Sequence, residues 1–112
     1  ATSEKQAIGH YLDGRVSLVV GTHTHVPTAD ARVLEHGSGY QTDAGMCGCY
    51  DSVIGMEKTQ VQKRFLRQYP IPRLIPATGA GTLCGTLVEL DNIGLCRTIR
   101  PIRLGGALSP SQ

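Results

Sequence analysis

The sequence predicts an α/β fold, and three observations carry that prediction. An amphipathic helix pattern ending at Leu12 runs almost directly into a β-branched apolar run, Val16-Ser17-Leu18-Val19-Val20. Such a helix-to-strand step is a building unit of α/β architectures. Two turn-centred strand pairs follow, with one further helix pattern between them. Fourteen glycines and six prolines in 112 residues limit the helix content, and with one Phe and no Trp the core must be built from Val, Ile and Leu.

Ser3 and Gln6 fit a capping box, which satisfies two otherwise unpaired amides at a helix start. Ala7, Ile8, Tyr11 and Leu12 then share one helical face. Asp13-Gly14 ends the helix, Gly14 being free to take the left-handed conformation. Val16 to Val20 has the length and composition of a buried strand. Asp30 to Glu35 predicts a strand, His36-Gly37-Ser38-Gly39 a turn, and Tyr40 to Asp43 the return strand of a hairpin. Ala44 to Tyr50 is glycine-rich and irregular, and Asp51 to Met56 forms a turn. Glu57 to Tyr69 is the clearest helix, with Val61, Phe65 and Tyr69 as its apolar stripe. Glu57 suits its amino end, Arg64 and Arg67 suit its carboxyl end, and Pro70 and Pro72 stop it.

Residues 70–80 then form an extended connector. Thr82 to Leu90 and Leu95 to Arg103 form a second hairpin about Asp91-Asn92-Ile93-Gly94. A register with Leu90 opposite Leu95 puts Glu89 opposite Cys96 and Cys84 opposite Pro101, so the cysteines do not pair. Residues 104–112 are expected as a flexible tail.

The bulk numbers exclude some functions. A net charge of +2 is too small to argue for nucleic acid, and Arg97, Arg100 and Arg103 suit a solvated strand face. No apolar run reaches the roughly 20 residues of a membrane span. The polar start, Ala1-Thr2-Ser3-Glu4-Lys5, has no signal peptide and no initiator Met, which predicts a piece of a longer chain. Cys47, Cys49, Cys84 and Cys96 are expected as reduced thiols in the cytoplasm. Cys47-Gly48-Cys49 lacks the C-x-x-C spacing of ordinary zinc or redox sites.

The chemistry sits in Gly21-Thr22-His23-Thr24-His25-Val26. Imidazole is the commonest metal ligand, and two histidines at the end of a strand can line one cavity. They are not a complete site, because a catalytic zinc takes three protein ligands and an open position. The further candidates are His10, His36, Asp13, Asp30, Asp43 and Asp51. His10 and His36 face solvent. Asp43 precedes a bend and can reach the site or cap the turn. No G-x-S-x-G, Walker A or dinucleotide-binding glycine pattern is present.

Gly21 to Val26 resembles the terminal G-x-H-x-H block of calcineurin-like metallophosphoesterases. Ala1 to Ala7, Tyr11 to Val16, Thr28-Ala29-Asp30, Thr42 to Met46 and Tyr50 to Met56 resemble, in the same order, the YmdB-like metallophosphoesterases. The resemblance reaches to about Arg103, so 1–103 is expected as the carboxy-terminal portion of a metallophosphoesterase α/β sandwich of two sheets flanked by helices.

It implies a phosphodiesterase or phosphatase acting on nucleotide-like substrates, 2′,3′-cyclic nucleotides among them. Two metal ions are implied, Fe or Mn, with Zn as the alternative. His23 and His25 are the implied ligands, one on each metal. The family's early Asp, Glu-Asn pair, Gly-Asn-His block and further His have no counterpart here. No catalytic residue is therefore assigned in this chain, and the missing amino-terminal half is its expected partner. Two alternatives stand beside this reading. One is an assembly fragment that pairs through an exposed sheet edge, as a homo-oligomer for example. The other is a mononuclear hydrolase that recruits Asp43 or His36 as a third ligand.

Overall fold

The chain runs α1 (Thr2–Leu12), β1 (Leu18–Val20), β2 (Arg32–Val33), β3 (Gly39–Gln41), β4 (Gly48–Cys49), α2 (Lys58–Leu66), β5 (Gly81–Leu90) and β6 (Cys96–Leu104). These elements come from a computed structural model, which describes residues 1–66 and 73–111. The α/β class holds, with two three-stranded sheets ordered β1-β3-β2 and β4-β5-β6. β1 pairs parallel with β3, and β2 and β3 form the expected hairpin.

The deepest strand is a polar one. The sequence pointed to Val16–Val20 for that place, yet β1 is shorter and only half-buried, whereas β3 is buried along its whole length. β3 lies between β1 and β2, so both its edges are paired. Its Gln41 side chain is satisfied from far along the chain. The Gln41 Nε2–H donates to Thr28 O at 3.1 Å, and the Thr86 hydroxyl donates to Gln41 Oε1 at 2.7 Å. Buried polar groups of this kind persist only when every one is bonded. Among the described residues, no buried side-chain nitrogen or oxygen lacks a partner.

α1 docks on Tyr40 through a glycine. A Cβ at Gly9 would come within 2.6 Å of the Tyr40 ring, so the helix lies closer than any larger residue allows. The expected apolar face is not covered: Ile8 is 52% exposed and Tyr11 68%. The helix also begins at Thr2 with Ala1 as N-cap, so Ser3 and Gln6 lie inside it and form no box. Gly14 does take the left-handed conformation, at φ +85°.

In α2 the Glu57 carboxylate accepts the amides of Thr59 and Gln60, both at 2.9 Å. This caps the helix and holds the Glu57 carboxyl below its usual range. Val61 is buried, but Phe65 is 81% exposed, so the expected stripe is covered at one end only. Arg67, Tyr69, Pro70 and Pro72 lie outside the described residues.

β5 and β6 form a long ribbon, but with a different register. Cys84 stands opposite Arg103, Glu89 opposite Thr98 and Leu90 opposite Cys96, with an irregularity between Glu89 and Leu90. Asp91 causes the shift: its Oδ1 accepts the amides of Ile93 and Leu95 and closes the turn around Gly94. All four cysteines are free. The ribbon crosses the first sheet at Gly39, where a Cβ would meet Cys96 Sγ at 3.0 Å and Ile99 Cδ1 at 3.4 Å. Past Gly105-Gly106, where a tail was expected, Ser111 pairs antiparallel with Arg103.

Candidate metal centre

The two-histidine loop leaves the end of β1 through Gly21. Glycine is required here for close approach: a Cβ would lie 2.2 Å from Thr42 O. Beyond Gly21 the positive φ angles fall on the histidines, +132° at His23 and +68° at His25. Non-glycine residues seldom adopt these angles, and they persist only where their surroundings over-determine them.

The over-determination comes from Thr24 and Asp43. The Thr24 amide donates to Asp43 Oδ2 at 2.7 Å, and its hydroxyl reaches the same oxygen at 2.8 Å. Asp43 Oδ1 accepts the Gly45 amide at 2.9 Å. Lys5 closes the other side: its Nζ donates to Thr22 O at 2.7 Å and lies 3.8 Å from Asp43 Oδ2. Burial pushes the Asp43 carboxyl up, but the Thr24 and Gly45 amides, the Thr24 hydroxyl and the Lys5 charge outweigh it and hold it below its usual range.

Thr22, His23, His25, Asp43, Gly45 and Met46 line one open cavity of about 180 Å³. Ligand pockets run to about 300–1,000 Å³, so this wall alone is too small to enclose a nucleotide. Both histidines are exposed. His25 Nδ1 is 3.1 Å from Ile54 O. Neither Thr22 nor Thr24 is bonded to an imidazole among the described residues.

The other sequence candidates lie elsewhere or are already engaged. His36 Nδ1 is 3.1 Å from Asp13 Oδ2, and Asp13 also accepts the His36 and Ser38 amides. That cluster ties the end of α1 to the first hairpin. Asp30 accepts both the Thr28 and Thr42 hydroxyls, and Asp51 pairs with Lys58 at 2.7 Å. Asp43 borders the cavity, but its oxygens already serve three hydrogen bonds, so it anchors the loop rather than offering a free ligand. The sequence allowed Asp43 to reach the site or cap the turn, and its bond to the Gly45 amide is that cap; Lys5 and the reach of Asp43 to Thr24 were missed. The one available signal was that both lie in the resemblance blocks.

The donor set fits a metal in part. Two imidazoles on one cavity wall suit transition metals that favour nitrogen ligands. Among the described residues no group of three or more His, Cys, Asp and Glu could hold an ion. Two imidazoles on one wall are fewer than the three protein ligands that a catalytic zinc takes.

The profile of a family described as "YmdB-like protein" matches residues 1–102. A 2′,3′-cyclic-nucleotide 2′-phosphodiesterase of Bacillus subtilis (strain 168) is 51% identical over 92 residues, covering 82% of this chain and 34% of that protein. Two crystal structures superpose closely. A hypothetical protein from Thermus thermophilus gives a TM-score of 0.85 at 46% identity, covering 96% of this chain and 42% of that one. A novel phosphatase from Mycoplasma pneumoniae gives 0.84 at 37% identity, covering 94% and 38%. The chain spans about a third or less of the length of the curated relatives it matches, 34% of the Bacillus protein and 23% of a Mycoplasma pneumoniae relative.

Proposed function

The chain belongs to the YmdB-like protein family, and from that premise we propose that it forms the two-histidine wall of a metal-dependent phosphoesterase whose remaining ligands lie in the rest of a longer parent. The observation that carries this reading is the shared cavity wall of His23 and His25, held by Thr24, Asp43 and Lys5. Bound there, two metal ions of the Fe, Mn or Zn kind would supply Lewis-acid stabilisation of phosphoryl oxygens and an activated water. His23 and His25 act as ligands, with neither base nor nucleophile among the tasks assigned to them. Asp43 and Lys5 act on the loop and fix where the two rings stand.

A 2′,3′-cyclic nucleotide is the substrate class this reading favours, supported by the name of the Bacillus relative. The size of the cavity requires the rest of the parent to complete the substrate pocket. Among the described residues no helix is long and apolar enough to cross a membrane. The four free cysteines support a reducing compartment, the cytoplasm.

Metal analysis of the full-length parent tests the reading. The double variant His23→Ala, His25→Ala should lose bound metal and metal-dependent turnover while staying folded. Unchanged metal occupancy in that variant overturns the assignment.

A further inference from the structure

The segment that faces His25 is a strained turn, and its carbonyl is its contribution to the site. Val53 and Met56 bond each other twice, Val53 N–H to Met56 O at 3.0 Å and Met56 N–H to Val53 O at 2.9 Å. The two residues between them have φ +48° (Ile54) and +93° (Gly55). A pair of positive angles closing a two-residue hairpin marks a type I′ turn, which Asn and Gly favour. Gly55 suits its place. Ile54 does not, since a β-branched residue at positive φ is a true outlier.

The surroundings hold the turn in that shape. The Ser52 hydroxyl donates to Cys49 O at 2.6 Å and accepts the Gly55 amide at 2.9 Å. On the far side, the Ala77 amide donates to Gly55 O at 2.8 Å. Strain so tightly braced gathers at functional sites. The group this turn presents is Ile54 O, 3.1 Å from His25 Nδ1.

A carbonyl oxygen can only accept, so a hydrogen bond at this contact requires the proton on Nδ1. A neutral imidazole protonated there carries its lone pair on Nε2. A free histidine side chain in water favours the opposite tautomer. We propose that the Ile54–Gly55 turn is a positioning device for His25, fixing the Nδ1–H tautomer and leaving Nε2 as the ligating nitrogen. What Nε2 binds rests on the metal-centre reading above; the tautomer does not. Outer partners of this kind commonly set ligand orientation and basicity in metal sites.

Nitrogen-15 NMR of the metal-free full-length parent, at a pH where His25 is neutral, reads the tautomer directly. The expected result is a protonated Nδ1 and a bare Nε2. Gly55→Ala puts a side chain at φ +93°, 3.1 Å from Met46 Sδ. It should shift His25 toward the Nε2–H form and weaken Mn²⁺ binding about tenfold or more. Ile54→Asn, which suits a type I′ turn, should keep both the tautomer and the affinity.

An Nε2–H tautomer in the unaltered protein overturns the proposal, and so does a Gly55→Ala variant with the tautomer unchanged. If Gly55→Ala does not fold, the unaltered protein and Ile54→Asn decide the matter. An Nδ1–H tautomer in a parent that takes up no Mn²⁺ overturns the ligation half, and separates that failure from a failure of the turn.

Discussion

Asp43 shows how one residue can hold a loop that carries two histidines. Its carboxylate takes the amide and hydroxyl of Thr24, which stands between the histidines, and the Gly45 amide beyond the bend. Hydrogen bonds to a charged group contribute about 1.5–3 kcal/mol each when intact. Asp43→Asn keeps the shape but offers one acceptor oxygen where the carboxylate offers two. It should cost about 2 kcal/mol in chemical denaturation and lower metal affinity although both histidines remain.

The same group sets an acid limit. Its folded carboxyl lies below the ordinary 3.8. The stabilisation is therefore present above that value and is lost as pH falls toward and through the lower, folded one. Denaturation midpoints followed downward from about pH 5 should drop in the unaltered protein, and Asp43→Asn should remove Asp43's share of that drop.

Among the elements, those with local signals were legible and those assembled from a distance were not. The ribbon of β5 and β6 lies within a residue or two of its expected bounds because turn formers and β-rich strands mark it locally. Its register was missed because the Asp91 carboxylate and main chain together close the turn onto Leu95, which no strand pattern shows. β3 was placed as a return strand, but its depth was hidden because Gln41 reads as a surface residue until Thr28 and Thr86 are brought to it.

The histidine pair could be read from residue type and spacing alone. Its supports could not, since Lys5 and Asp43 stand 17 and 19 positions from the loop residues they hold. β1 and β3 also meet more closely than a pattern predicts. Gly21→Ala would drive a Cβ to 2.2 Å from Thr42 O. That clash is with backbone, so the sheet must open; thermal unfolding should report a loss of about 3 kcal/mol.

The whole molecule carries more surface than its mass requires. It exposes 7260 Å², against about 6,000 Å² for a compact 12 kDa monomer. Its radius of gyration is 17.2 Å, against about 13 Å for a compact domain of this length. Large apolar side chains lie on that surface: Ile8 and Tyr11 on α1, Phe65 and Leu66 on α2, and Leu83 and Leu87 on the ribbon are all exposed. A Cβ at Gly85, between those two leucines, would meet nothing within 4 Å. Uncovered apolar faces of this extent mark surfaces that pack against something else.

The isolated 112 residues should therefore self-associate in light scattering. They should also hydrolyse bis-p-nitrophenyl phosphate no faster than background with added Mn²⁺, whereas the proposed full-length parent should turn it over. Robust turnover by the isolated chain would show that its two-histidine wall is sufficient.

The Thr24 amide has one more consequence, for solvent and time. It sits in an exposed loop, yet its proton is committed to a carboxylate that is 1% exposed. Loop amides ordinarily exchange with deuterium almost freely, and slow exchange reports the free energy of local opening. Thr24 should exchange as slowly as a core amide while its loop neighbours exchange fast. Replacing Lys5 should speed it. One resonance thus becomes a clock for the histidine loop, readable without metal or substrate.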